Sequence, residues 1–180
     1  MAALLQLFRA RPAKKAGKRL YASAVAQARD PGFYGDGRTP DTPEGRFELY
    51  TLHVILLLHR LKRQGAQAQE TGQALFDAYL RGLDDGLREL GVGDLSVGKK
   101  MRKLGEAAYG RVKAYDDALP GYAEDPQALT ALIGRTVLRD EAHPFAGPLA
   151  AYAARTADAL ERQPLDEILD GAAAWPEFAA

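Results

Sequence analysis

The stretch PDTPEGRFELYTLHVILLLHRLKRQ, Pro40 to Gln64, constrains this chain more than any other. Its apolar run from Phe47 to Leu61 must leave water, yet Glu48, His53, His59 and Arg60 interrupt it, and the longest unbroken piece is Val54–Leu58. A membrane-spanning helix needs about 20 predominantly apolar residues. The run therefore reads as a buried helix of a folded body, not an anchor. Thr42 as N-cap and Pro43 at the first helical position define its start, and Glu44 and Glu48 suit the positive helix end.

Helical periodicity extends over most of the remaining chain. Leu20 to Ala28 is a helix candidate, and DPGFYGDGRTPDTPEG after it is dense in Pro, Gly and Asp and reads as loop. Phe76, Tyr79, Leu80, Leu83, Leu87 and Leu90 recur at three- and four-residue steps, an amphipathic helix stopped by Gly91. Met101, Leu104, Ala108, Val112, Tyr115 and Leu119 line the next one. Asp125-Pro126 opens a helix through Leu138, which His143-Pro144 breaks; another follows from about Pro148 to Arg162, and PLDEILDG supplies a last short turn. No stretch alternates with period 2. The predicted class is all-α, a single domain of about six to seven helices, and 180 residues are enough to bury roughly 70% of the unfolded surface.

Catalytic and metal chemistry find little support. The chain has no cysteine, which removes disulfides, thiolate metal sites and cysteine nucleophiles. His53 and His59 stand about 120° apart around a helix, whereas two ligands from one helix need a spacing of three, four or seven. With only His143 besides, and no HExxH pattern, no metal or haem cofactor is expected. His53 shares a face with Arg46, Tyr50, Leu57 and Arg60, which suits a partly buried histidine at a helix seam. Asp84 and Asp85 are adjacent and diverge. Ser23 and Ser96 lie outside any GxSxG context. Neither GVG at Gly91–Gly93 nor YGDG at Gly35–Gly37 is a phosphate loop. No enzyme activity is expected.

Charge is more informative. The net charge is zero, but residues 1–29 hold seven basic groups and no acid, residues 99–113 six basic and one acidic, and residues 114–180 four basic and twelve acidic. Such polarisation steers association. The N-terminal stretch reads either as a mitochondrial presequence, which would place the chain in the matrix, or as a basic helix of the mature protein, and the second reading is favoured. The run Lys99, Lys100, Arg102, Lys103, Arg111 and Lys113 is either a solvated face or a docking patch for an acidic partner, RNA phosphates or anionic lipid. Only Tyr109 is interleaved there, so specific nucleic-acid readout is not expected. The long loop carries Phe33 and Tyr34, which either pack on the body or are offered to an apolar client; loops longer than about 12 residues are usually functional or disordered. These ten residues, Lys99, Lys100, Arg102, Lys103, Arg111, Lys113, Phe33, Tyr34, Arg46 and His53, are the candidate partner-binding set.

LYASAVAQARDPGFYGDGRTPDTPEGRFELYTLHVILLLHRL, followed by LFDAYLRGLDDGLRELGVGDLSVGKKMRKLGEAAYGRVKAYDDAL, resembles the ubiquinol–cytochrome c chaperone family. The likeness runs from about Leu20 to Leu119 and rests on GRFEL…LH…RL, LRE.GVGDL.V.KKM and YGR..AY, in order. Where such proteins often carry a Phe before the YGR tyrosine, this chain has Ala108. Charge and the likeness together divide the single domain into a basic segment 1–19, a family-like core 20–119 and an acidic helical part 120–180, the last without a recognisable motif. The resemblance implies a non-enzymatic assembly chaperone for ubiquinol–cytochrome c reductase that binds newly made cytochrome b. Mitochondrial relatives act with a small partner protein near the ribosomal tunnel exit. The Ala/Gly/Arg-rich composition suggests a bacterial cytoplasmic protein touching the inner membrane. The alternative is a ribosome- or RNA-associated helical binding module; a helical enzyme or haem carrier ranks third.

Overall fold

The computed structural model describes residues 2–89 and 91–178. Along the chain run α1 (Ala2–Gln27), a 3-10 turn (Pro31–Phe33), α2 (Pro43–Leu61), α3 (Ala66–Glu89), α4 (Asp94–Ala118), α5 (Pro126–Ile133) with a π turn (Gly134–Leu138), α6 (Ala146–Arg162) and α7 (Leu165–Leu169). The described residues form no strand, only an isolated bridge between Tyr34 and Thr39. The all-α expectation holds. Leu90, the last apolar position assigned to the third helix, lies outside the described residues.

Helix α2 is the centre of the body. Leu49, Leu52, Val54, Ile55, Leu56 and Leu57 are all buried, and removing a leucine or isoleucine side chain from water is worth about 1.5–3 kcal/mol. Its start follows the sequence expectation: the Thr42 hydroxyl accepts from the Gly45 N–H at 3.1 Å, with Pro43 in the first turn. A side chain at Gly45 would put its Cβ 2.0 Å from the Pro40 carbonyl oxygen, so the tight entry requires glycine.

Two helices begin earlier than their large apolar residues suggest. The helix expected from Leu20 already runs through the basic segment, because its inner line is built of small residues: Ala13, Ala16, Leu20, Ala24 and Ala28 are buried, while Lys14, Lys15, Lys18 and Arg19 face solvent. Residues 13–28 are thus part of the packed body. Helix α3 likewise begins at Ala66, ten residues before Phe76, with Ala68, Thr71 and Leu75 inside. Small side chains carry an inward face that a search for bulky periodicity passes over.

Those small residues let α1 and α3 approach closely. A Cβ added at Gly17 would stand 2.6 Å from the Ala74 carbonyl carbon and the Leu75 nitrogen. Both are main-chain atoms of a helix and cannot swing aside. Gly110 of α4, in contrast, has nothing within 4 Å of such an atom.

The loop between α1 and α2 is ordered by its own polar groups. The Asp30 carboxylate accepts from the Gly32 N–H at 2.8 Å, the Arg38 guanidinium donates to the Gly32 carbonyl, and the Tyr34 hydroxyl donates to the Ala28 carbonyl at 2.5 Å. At the start of α5, the Asp125 carboxylate accepts from the Gln127 N–H at 3.0 Å, the N-cap of the helix that Asp125-Pro126 opens. The helical path ends at Leu138, as expected, where Arg139 takes a left-handed φ of 57°.

Gly17→Ala should therefore destabilise the protein by about 1–3 kcal/mol, the cost of overpacking, despite alanine's better helix propensity. Gly110→Ala should be neutral or stabilise by up to about 1 kcal/mol. Urea unfolding followed by circular dichroism checks both, and equal effects from the two substitutions would contradict the close α1–α3 seam.

Candidate functional site

A cleft of about 700 Å³ opens between the end of α1, the first half of α2 and the last half of α3, with Leu104 of α4 along its side. Its floor is aromatic. Phe47 and Tyr50, three residues apart on α2, sit edge-on with ring centres 5.3 Å apart, and Tyr21 of α1 approaches Tyr50 edge-on at 6.5 Å. Offset aromatic contacts of this kind contribute about 0.5–1.5 kcal/mol each beyond burial. Tyr21 lies across α3 because residue 82 is glycine: a Cβ there would meet the Tyr21 hydroxyl at 1.9 Å. Gly86, one turn further, also lines the cleft and meets nothing within 4 Å. The α3 wall is therefore partly bare backbone.

The rim is charged with both signs. Arg29, Arg46 and Arg139 stand opposite Glu44, Asp85 and Glu89. Arg46 donates to Asp41 at 2.6 Å, holding that carboxyl below its usual range, and lies over the Tyr34 ring at 5.6 Å. Burial raises the phenols of Tyr50 and Tyr21 above their ordinary value, so both stay neutral hydroxyls. An apolar, aromatic trough with a mixed-charge rim is suited to holding an amphipathic segment, with no acid–base pair poised on a reacting atom. Among the described residues no cluster of His, Asp and Glu is arranged to hold a metal ion.

The ten candidate residues are divided by the fold. Tyr34 and Arg46 line the cleft. Lys99, Lys100, Arg102, Lys103 and Lys113 are exposed on α4, and Lys113 pairs with Asp117 at 3.6 Å. The other three are structural. Phe33 is fully buried, packed on Phe178 at 4.8 Å and Tyr152 at 5.0 Å, so it packs on the body and is not offered outward. His53 is also fully buried rather than partly so. Its two ring nitrogens pair with the Leu49 carbonyl at 2.8 Å and the Tyr152 hydroxyl at 3.0 Å, and desolvation pushes its pKa down to about 4. Arg111 faces inward and leaves the basic run.

Arg111 spans from α4 to Glu48 of α2 with two bonds, 2.5 and 3.1 Å. Glu48 is almost wholly buried, and desolvation raises its pKa while the Arg111 bonds oppose that rise. Sequence reading used Glu48 only as a helix-start charge and missed the cleft residues Tyr21, Phe47, Tyr50 and Arg139. The Phe47–Tyr50 spacing was a usable signal; Tyr21 and Arg139 join only through tertiary packing.

Arg111→Ala should leave Glu48 as an unpaired buried charge and cost about 3 kcal/mol at neutral pH, as breaking buried pairs does. The Glu48 pKa then rises further above its unfolded value. The folded state binds the extra proton, so the variant's penalty should shrink as pH falls towards the unfolded glutamate range and be largest above the raised pKa. Chemical denaturation of variant and parent at several pH values reads this difference; a penalty independent of pH would contradict the buried pair.

Comparison with known proteins agrees with this architecture. Residues 36–175 match the family model described as Ubiquinol-cytochrome C chaperone, a match that continues well past Leu119. The chain is 23% identical over 128 residues to ubiquinol-cytochrome-c reductase complex assembly factor 1 of Xenopus laevis, covering 71% of this chain and 62%, less than two thirds, of that relative. It is 37% identical to the crystal structure of the Cbp3 homolog from Brucella abortus, with a TM-score of 0.83 and 97% of both chains covered. Since the family match spans 36–175 of 180 residues, this protein belongs to the ubiquinol–cytochrome c chaperone family, a family of chaperones and not of enzymes.

Proposed function

We propose that this protein is an assembly chaperone for ubiquinol–cytochrome c reductase and that its client is newly made cytochrome b. The family match carries the reading. The name of the Xenopus laevis relative, a complex assembly factor, points the same way. The aromatic cleft is the proposed client groove, with Tyr34 and Arg46 at its rim. Leu104 lines the cleft, and Lys100 stands one turn earlier on the same stripe of α4, which supports a basic face that borders the groove. An apolar client segment with acidic flanks would meet both surfaces.

Among the described residues no helix is long and apolar enough to cross a membrane. A chaperone for a membrane-embedded subunit would then meet its client at the membrane surface, from the bacterial cytoplasm or the mitochondrial matrix. The basic face also supports a second reading, contact with the ribosome, which predicts binding that falls steeply with salt.

Deleting the gene should lower assembled ubiquinol–cytochrome c reductase and cytochrome b without changing the cytochrome b transcript. Normal levels of mature enzyme, under conditions that require it, would sink the assignment.

Lys99→Glu with Lys103→Glu should shift stability by less than about 0.5 kcal/mol per exposed site yet weaken co-purification of cytochrome b, more so at low salt. Thermal melting and pull-down from solubilised membranes read the two arms. Unchanged capture and unchanged melting would reduce the patch to a solvated face. Salt-sensitive capture of ribosomes without the client would favour the second reading.

A further inference from the structure

The segment after α7 runs over the body without regular structure. Gly171, at φ 88°, turns it out of the helix, where a Cβ would lie 2.7 Å from that of Arg19. The last main-chain to main-chain hydrogen bond is from the Ala172 N–H to the Glu167 carbonyl; among the described residues none follows. From there the chain is held by side chains. Gln163 accepts from the Ala174 N–H at 3.0 Å, and the Trp175 indole donates to the Ser23 hydroxyl at 2.8 Å. Trp175 packs edge-on against His53 at 5.2 Å. Phe178 seats among Phe33, Phe145 and Tyr152 at 4.8, 5.6 and 5.5 Å.

The groove beneath is complete without this segment. His53 is satisfied by Leu49 and Tyr152, and Tyr152 also receives the Gln27 side-chain amide at 3.2 Å. Arg38, fixed to the Gly32 carbonyl, lies 5.9 Å from both the Phe145 and Phe178 rings, so one side of that cation–π arrangement survives release of the tail. Releasing the tail would strand no buried polar group in this network. It would expose a preformed trough with an aromatic floor, a hydroxyl donor–acceptor and a cationic rim, features that hold an irregular apolar peptide by its aromatic side chains. Both anchors are only half-buried.

We propose that the groove under residues 173–178 is a peptide-binding site which the chain's own tail fills as a detachable plug. The partner class it fits is an extended apolar peptide carrying two aromatic side chains three positions apart, which takes the place of Trp175 and Phe178. This groove is separate from the cleft assigned to the client and does not depend on that assignment.

Trp175 is the chain's single tryptophan, so its fluorescence reports the plug alone. In urea, Trp175 emission of the intact protein should shift towards that of exposed indole before helical ellipticity is lost. In the full-length Trp175→Ala, Phe178→Ala variant, helical ellipticity should persist and a labelled synthetic peptide of residues 171–180 should bind saturably. The same peptide with both aromatics replaced by alanine should bind at least about tenfold more weakly, as truncating aromatic anchors does. The parent protein, with its groove filled in cis, should also bind the peptide at least about tenfold more weakly. Coincident fluorescence and ellipticity transitions, an unfolded double variant, or a folded one that does not distinguish the two peptides would each overturn the proposal.

Discussion

A helix buried on nearly every side needs something to fix its rotation and height, and in α2 the polar residues that interrupt its apolar run do this. Each reaches a different neighbour. Glu48 pairs with Arg111 of α4, the Thr51 hydroxyl meets that of Tyr79 of α3 at 3.2 Å, and His53 meets Tyr152 of α6. His59 bonds Asp116 of α4 at 2.6 Å, and Arg60 donates to the Leu160 carbonyl at 2.7 Å and the Gln163 carbonyl at 3.3 Å, satisfying end groups of α6. A one-residue slip would leave several of these groups buried and unpaired, at roughly 1–3 kcal/mol for each neutral group and more for a charged one. Leucine contacts tolerate small shifts; these bonds do not. The polarity that excludes α2 from a membrane is what gives it a single position in the body.

The second constraint is the close approach of α1 and α3. Gly17 brings the two backbones together, and Gly82 admits the Tyr21 ring across α3. Close contact at one end and a bare α3 wall at the other leave the aromatic cleft between them. The same small residues therefore stabilise the pair and shape the concavity, and filling the wall with side chains would trade the groove for core.

Helix α4 is attached unequally. Towards its C-terminal end Arg111 and Asp116 bind α2, and Tyr115 meets Thr136 of the π turn at 2.9 Å. Its first turns present Lys99, Lys100, Arg102 and Lys103 to solvent, with Val97 as their buried contact and Met101 and Leu104 half-covered. Fewer buried contacts mean lower local stability. Leu104, one turn after Lys100, lines the cleft where the pinned half gives way to the open half.

Periodicity, caps and breakers by themselves determined the helical class, the entry of α2 at Thr42-Pro43 and the start of α5 at Asp125-Pro126, because these depend on neighbours within one turn. Spacing alone also showed that His53 and His59 do not share a face. Alanine and glycine faces were illegible: the inward line of α1 and the first turns of α3 lack the bulky side chains by which an inner face is recognised. Only tertiary structure decided which members of the candidate set face outward. Phe33, which sequence leaves open between body and client, His53, which it reads as partly buried, and Arg111, which it places in the basic run, are buried or inward-turned, since their partners Phe178, Tyr152 and Glu48 lie 145, 99 and 63 residues away. Whether a charged or aromatic side chain is anchor or interface depends on what packs above it, and that is a property of the folded chain.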